Sequence, residues 1–115
     1  MRPEHLYLTD IVEASDAIAR FCAGVGYDEF MADELRQSAV LQKLTIIGEA
    51  AARLPKEFRE RHSEIEWAEI IGFRNIAVHQ YFVVKWDIAW VTATEDVPGL
   101  RSQVAKFLAD EYASE

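Results

Sequence analysis

The segment AVLQKLTIIGEAAARLP, residues 39–55, carries the clearest helical pattern in the chain. Its apolar side chains recur at three- and four-residue steps, which places them on one face of an α-helix; they are Val40, Leu44, Ile47, Ala51 and Leu54. Pro55 lacks the amide hydrogen that a continuing helix needs, so it is expected to stop this helix. A helix with one apolar face must bury that face, and the pattern therefore predicts a bundle of helices.

The N-terminal part of the chain repeats this periodicity. Apolar and small side chains recur at helical steps and predict a first helix from about His5 to Ala23; they are Leu8, Ile11, Val12, Ser15, Ile18, Cys22 and Val25. Gly24 and Gly26 are expected to end that helix, since glycine readily adopts the left-handed backbone of a helix C-terminus. Asp28 and Asp33 are candidate N-caps of the helices that follow.

Two helices are predicted after the stop at residue 55. A short one runs from Pro55 to Arg61, because proline suits the first turn of a helix. A longer one runs from about Ile65 towards Tyr81. Ser63 is its expected N-cap, and Glu66 stands three residues later, as in a capping box.

The C-terminal part predicts a final helix. Asp87 is its candidate cap, and the helix is expected to kink or restart at Pro98. The apolar stripe returns with Val97, Leu100, Val104, Phe107 and Leu108. Because no region alternates at a period of two, we predict an all-α protein with one domain over residues 1–115, folded as an up-and-down bundle of about five helices.

Composition narrows the class of protein. Half of the 115 residues are hydrophobic, so the chain is expected to fold. The lone Cys22 cannot form an internal disulfide and is expected to be a small buried side chain, which suits a reducing cytoplasm. No unbroken apolar run marks a signal peptide or reaches the roughly 18 residues of a membrane span. We therefore expect a soluble, cytoplasmic protein with no membrane contact.

The net charge of −8 argues against a protein that binds nucleic acid by general attraction to phosphate. Any contact with RNA would need a small local site. Four basic residues do lie close together in the sequence, interleaved with Glu57 and Glu60: they are Arg53, Lys56, Arg59 and Arg61. Such a mixed run is typical of a solvated helix face, and contact with phosphate is the alternative.

The segment IGFRNIAVHQYF, residues 71–82, places polar groups in a mostly apolar helix. On an ideal helix Arg74 shares a face with Trp67, Ile70, Ile71, Val78 and Tyr81. A buried guanidinium keeps its charge and needs an anionic partner, for which Glu49 is the candidate, while Gly48 would permit close helix contact. Apolar groups on nearly every side of this helix predict self-association, most commonly as a symmetric dimer.

Taken together, the polar residues of this segment suit phosphodiester chemistry. His79 could take a proton from a ribose 2′-hydroxyl near neutral pH, or give one to the leaving oxygen. Arg74 could stabilise the crowded anionic phosphorane, and Asn75, one turn before His79, could orient the histidine. Arg74 and His79 are five positions apart, or about 140° around an ideal helix. Either the helix loosens there, or a twofold axis brings two copies to one cleft.

The motif RNIAVHQY, residues 74–81, resembles the arginine–asparagine–three residues–histidine–x–tyrosine signature of the HEPN superfamily, and specifically of its HepT-like toxin branch. The similarity extends over nearly the whole chain, through YLTDIVEASDAIARF, AVLQKLTIIGEAAARL, EIEWAEIIGFRNIAVHQYF and DVPGLRSQVAKFL. It implies a HEPN-like bundle that forms a homodimer through the motif helix. It also implies a metal-independent endoribonuclease without a cofactor, in which Arg74 and His79 are the catalytic pair, Asn75 supports them, and 2′-hydroxyl attack leaves a cyclic phosphate.

The resemblance implies a protein partner as well. Members of this branch are similar to toxins encoded beside a small nucleotidyltransferase antitoxin, which transfers AMP from ATP to the motif tyrosine, here Tyr81. ATP and magnesium would belong to that partner. A nucleotide on Tyr81 would add bulk and negative charge where an RNA phosphate must sit.

Two other functions stay open at this point. The same cleft could hold a nucleotide or a partner without cutting RNA, which the acidity of the chain favours. Alternatively, the polar cluster could merely fix the register of a structural dimer, with Glu49 holding Arg74 in place.

The remaining candidates have ordinary structural explanations. His5 and His62 lie near predicted helix ends and are expected at the surface. Core packing is expected for the tryptophans, with base stacking as the alternative: Trp67, Trp86 and Trp90. No metal site is predicted at Glu64, Glu66 and Glu69, because no histidine stands at a ligand spacing.

Overall fold

The computed structural model describes residues 2–76 and 84–112. Over those residues all regular elements are helical and there is no strand, which confirms the predicted all-α class. A 3₁₀ turn, Gly72–Asn75, follows α5, and a π-helical turn, Thr92–Asp96, joins α6 to α7. The α-helices are α1 Glu4–Cys22, α2 Tyr27–Met31, α3 Glu34–Arg53, α4 Lys56–Arg61, α5 Trp67–Ile71, α6 Trp86–Val91 and α7 Val97–Tyr112. The described residues thus hold one short helix, α2, beyond the five that were expected, and the last of those five is divided into α6 and α7.

The core lies where α1 packs along α3 and α7. The predicted stripe of α3 is buried throughout, with no member more than 2% exposed. The stripe of α7 faces the same core through Val97, Leu100, Val104 and Phe107. Complete burial of a large aliphatic side chain contributes about 1.5–3 kcal/mol, so these stripes are what hold the bundle together.

The tryptophans pack as predicted. Trp67 is buried, and its indole N–H donates to the carbonyl of His62 at 3.0 Å. Trp86 and Trp90 cover the fully buried ring of Phe30, with ring centroids 6.4 and 5.1 Å from it. Since these rings contribute to the core, they are not free to stack on bases.

The helix ends test the predicted caps. Asp33 caps α3, accepting a hydrogen bond from the backbone N–H of Arg36 at 3.0 Å. The prediction for Asp28 is wrong, because Gly26 occupies the N-cap position of α2 and Asp28 lies within its first turn. Gly24 has a φ of 72°, the left-handed conformation expected where α1 ends.

The helix predicted from Ile65 is shorter than expected over its described part. It begins at Trp67, with Glu66 rather than Ser63 at the N-cap position, and it ends at Ile71. The chain from His62 to Trp67 is held in turns instead, by backbone bonds from Ile65 to His62 and from Trp67 to Ile65. Burial of the Ile65 and Trp67 side chains favours this path over a capping box at Ser63.

The predicted restart at Pro98 is confirmed. The helical path from α6 to α7 changes hydrogen-bond register in the π-helical turn, which ends two residues before Pro98. Proline has no amide hydrogen to donate to the carbonyl of Thr94, so the α-helical pattern cannot continue unbroken there. Asp87 lies in the first turn of α6 and is not its cap, since Lys85 occupies that position.

His62 is not at the surface as expected. Its side chain is only 14% exposed, and its ring stacks on Phe107 at a centroid distance of 3.9 Å. Its Nε2 atom lies 2.6 Å from a carboxylate oxygen of Glu111. His5 is partly buried near Tyr112, with ring centroids 5.7 Å apart.

None of the helices within the described ranges has the length and apolar character that crossing a bilayer requires.

Candidate active site

The site is built where α3 meets the 3₁₀ turn at Gly48. A Cβ atom on residue 48 would lie 2.7 Å from the backbone nitrogen of Arg74 and 2.9 Å from the carbonyl oxygen of Ile71. Only a residue without a side chain permits this approach without displacing the backbone. The predicted close contact at Gly48 is therefore present, and it positions Arg74 beside α3.

Arg74 forms the ion pair with Glu49 that was predicted for it. The Nη1 atom of Arg74 lies 3.2 Å from Oε1 of Glu49. The expectation of a buried arginine is wrong, because the two side chains are 37% and 47% exposed. The reason is that α5 ends at Ile71, so the 3₁₀ turn carries Arg74 to the surface instead of extending an apolar helix face.

The guanidinium of Arg74 keeps donors for another anion. Within the described residues it makes one hydrogen bond, the one to Glu49. A guanidinium has five N–H donors in a planar fork, so the remaining ones can face a phosphate. Glu49 thus orients Arg74 without saturating it.

Asn75 lies beside Arg74 at the end of the 3₁₀ turn and is exposed. The preceding Phe73 is buried and anchors the turn in the core. The structure therefore brings Arg74 and Glu49 together at an accessible position, with Asn75 exposed next to Arg74 in the chain. The predicted site residues His79 and Tyr81, like Val78, lie outside the described residues.

The 3₁₀ turn Gly72–Asn75 carries the first two motif residues and is called the motif turn. A groove of about 620 Å³ lies on the side of this turn away from α3, between α5 and the start of α7. Its floor includes Ile70, Phe73 and Leu100, and none of the described residues that line it is basic. Its rim is acidic, with Glu64, Glu66, Glu69, Glu95 and Asp96. Five carboxylates repel a polyanion, so among the described residues this groove is an unfavourable place for an anionic ligand.

No three His, Cys, Asp or Glu side chains within residues 2–76 and 84–112 lie close enough together to hold a metal ion. The arrangement that the described residues do offer is a fixed, accessible guanidinium next to an amide. That pair can bind and stabilise an anionic phosphorus centre.

A cleft of about 260 Å³ lies beside Glu49, between α1 and α3. The sequence did not predict it. Glu49 and Arg53 line it from α3, and Arg2 and Tyr7 line it from the N-terminal segment. The spacing of Glu49 and Arg53, one helical turn, signals that they share a face. Nothing in the sequence links them to residues more than forty positions earlier, because that contact arises from the packing of α1 on α3.

Comparisons with known proteins point to one family. A model of the ribonuclease HepT-like family matches residues 11–107. The chain is 37% identical to a provisionally named RNase of Caldanaerobacter subterraneus subsp. tengcongensis, over 96% of this chain and 99% of that protein. It is 38% identical to the "Probable ribonuclease HepT" of Thermococcus cleftensis, over 87% of this chain and 91% of that protein. No solved structure matches the chain.

Proposed function

Because the chain belongs to the HepT-like ribonuclease family, we propose that it is a metal-independent endoribonuclease and the toxin of a toxin–antitoxin system. The observation that carries this proposal is the accessible Arg74, held by Glu49 against Gly48 at the start of the motif RNIAVHQY. A guanidinium fixed in this way is preorganised for a negatively charged transition state.

The reaction follows from the chemistry of the motif. His79 removes the proton of a ribose 2′-hydroxyl, whose oxygen attacks the adjacent phosphorus in line with the 5′-oxygen that leaves. The bond from phosphorus to the 5′-oxygen breaks, that oxygen takes a proton from water, and a 2′,3′-cyclic phosphate remains; His79 then releases the proton it had taken up. Arg74 stabilises the charge on the phosphorane, and Asn75 orients the phosphate or the imidazole. The arginine and histidine supply the charge and the proton transfer, so the mechanism has no step for a metal.

We propose a homodimer in which the motifs of both protomers face one cleft. The angle of about 140° between Arg74 and His79 assumes an α-helix throughout. Because Gly72–Asn75 is a 3₁₀ turn, that angle does not apply at Arg74. The two side chains could therefore also meet within a single protomer. Mixed dimers of Arg74→Ala and His79→Ala protomers distinguish these arrangements. Activity restored by mixing supports a composite site.

The proposed control acts through Tyr81. A cognate nucleotidyltransferase antitoxin transfers AMP from ATP to the Tyr81 hydroxyl, releasing pyrophosphate. The new phosphate lies near the site that RNA must occupy and repels it, so cleavage stops. Magnesium and ATP serve that partner's reaction.

The test uses the purified chain with RNA in the presence of a chelator. Wild-type protein is expected to cleave, and His79→Ala and Arg74→Ala are each expected to lose at least about a hundredfold in rate, as removal of a general base or an oxyanion donor does. Products should end in cyclic phosphate. The competing function, a nucleotide- or partner-binding module, is favoured by the net charge of −8. The binding-module function is supported if wild type and His79→Ala are equally inactive towards RNA while mass spectrometry shows Tyr81 to be unmodified.

A further inference from the structure

We propose that the cleft between α1 and α3 binds the ribonucleotide next to the scissile phosphate. Arg53 would hold the phosphate of that nucleotide, and the stacked pair Arg2–Tyr7 would receive its base. This inference rests on the proposed ribonuclease function and adds a substrate-positioning site to it.

The location of the cleft supports this assignment. Glu49 is a wall of the cleft and is also the partner of Arg74, so the cleft adjoins the proposed catalytic arginine. Arg53 follows Glu49 by four residues, a little over one helical turn and about 6 Å along α3. A strand of RNA whose scissile phosphate meets Arg74 therefore brings a neighbouring phosphate to Arg53.

Arg53 differs from two of the three basic residues that follow it in the run, Lys56 and Arg61. Lys56 is paired with Glu60 at 3.9 Å, and Arg61 is paired with Glu111 at 3.0 Å. No carboxylate within the described ranges comes within 4.0 Å of the Arg53 guanidinium, which is exposed. Arg59 likewise has no such partner within the described ranges, but it does not line the cleft. Of the four basic residues in this run, Arg53 is therefore the one that can contact a phosphate in the cleft.

The other side of the cleft suits a nucleobase. The guanidinium carbon of Arg2 lies 4.8 Å from the ring centroid of Tyr7, and Asp10 holds that guanidinium at 2.8 Å. The Arg2 side chain is 46% exposed, so its outer face is open to a second planar group. Bases stack on arginine planes in many RNA complexes. Ile46 and Ala50 give the cleft an apolar floor.

The distribution of charge singles out this side of the motif. The cleft holds two guanidinium groups against two carboxylates, whereas the described lining of the groove beyond the motif turn has five carboxylates and no basic side chain. In a chain of net charge −8, a flanking nucleotide is attracted only where cations are local.

The experiment compares Arg53→Gln with Lys56→Gln, since both remove one positive charge and Lys56 does not line the cleft. Binding of a fluorescent oligoribonucleotide is measured by anisotropy in the His79→Ala background, where no turnover intervenes. Arg53→Gln is expected to weaken binding about tenfold, the loss of one charged hydrogen-bonding group. Lys56→Gln is expected to change it less than about twofold, as for an exposed charge. Arg53→Lys is expected to recover part of the affinity, because it restores the charge without the fork.

In the enzyme that retains His79, Arg53→Gln should raise KM for RNA and leave kcat unchanged, whereas a general loss of structure would lower kcat. Equal weakening by Arg53→Gln and Lys56→Gln would overturn the subsite and leave ribonuclease activity intact. If wild-type protein cleaves no RNA but the selective loss of binding at Arg53 persists, the proposed ribonuclease fails and the nucleotide site remains.

Discussion

Gly48 lies directly against the backbone nitrogen of Arg74, so that α3 and the 3₁₀ turn touch through main-chain atoms. The contact joins the middle of the apolar stripe of α3 to the first residue of the motif. Because α3 is anchored by a fully buried face, the position of Arg74 depends on the core of the bundle rather than on its own short turn.

Gly48→Ala is expected to destabilise the fold by about 1–2 kcal/mol. Overpacking of a tight contact costs about 1–3 kcal/mol, and the better helix propensity of alanine returns at most about 1 kcal/mol. Gly99→Ala in α7 is the control, because a Cβ there meets nothing within 4 Å, and it should be neutral or slightly stabilising. Urea unfolding of the three proteins measures both effects. Equal stability of the two variants would contradict the close contact.

Glu49→Gln is expected to separate activity from stability. Both members of its ion pair with Arg74 are partly exposed, so its loss should lower the free energy of unfolding by less than about 1 kcal/mol. The rate of RNA cleavage should fall about tenfold or more, because Arg74 is no longer oriented. Glu60→Gln removes the comparable exposed pair with Lys56 and should leave the rate unchanged. A cleavage rate of Glu49→Gln equal to wild type would show that Arg74 needs no orientation by the carboxylate.

The long helices could be predicted because their burial pattern is local. The stripe of α3 and the cap at Asp33 are properties of consecutive residues, and the structure has both. The restart at Pro98 could also be predicted from the sequence, since the missing amide hydrogen of proline removes a hydrogen bond to the preceding helical turn.

The motif turn could not be predicted in the same way. Ser63 and Glu66 have the spacing of a capping box, but burial of Ile65 and Trp67 and the indole bond to His62 favour a later helix start. The same local change exposes Arg74, which an ideal helix would have buried. The cleft between α1 and α3 depends on packing across about forty residues, and no periodic pattern encodes it.

Glu111→Gln is expected to lower the free energy of unfolding by about 1 kcal/mol without affecting RNA cleavage. Its carboxylate lies 3.0 Å from Arg61 and 2.6 Å from His62, and so ties the end of α7 to the end of α4. Hydrogen bonds to charged groups contribute up to about 3 kcal/mol, reduced here because Arg61 is half exposed. Asp110→Asn removes a more exposed pair with Lys106 and should cost less than about 0.5 kcal/mol. Thermal and urea unfolding measure the loss of stability in both variants. A larger loss for Asp110→Asn than for Glu111→Gln would contradict the role of Glu111 in joining α7 to α4.

Cys22 is expected to react slowly with iodoacetamide at neutral pH. Cys22 is only partly buried, not buried as the sequence predicted, because it is the last residue of α1. That partial burial still raises the pKa of its thiol, outweighing the nearby positive charge of Arg36, so the reactive thiolate is scarcer than in the unfolded chain. Because the folded pKa is the higher one, the stability that the neutral thiol contributes is complete at low pH. It is lost as pH rises from the unfolded towards the folded pKa. Alkylation should therefore accelerate with pH above the ordinary thiol range, and Cys22→Ala should flatten the fall in stability there. Native and denatured protein alkylating at equal rates near neutrality would rule out this effect of burial.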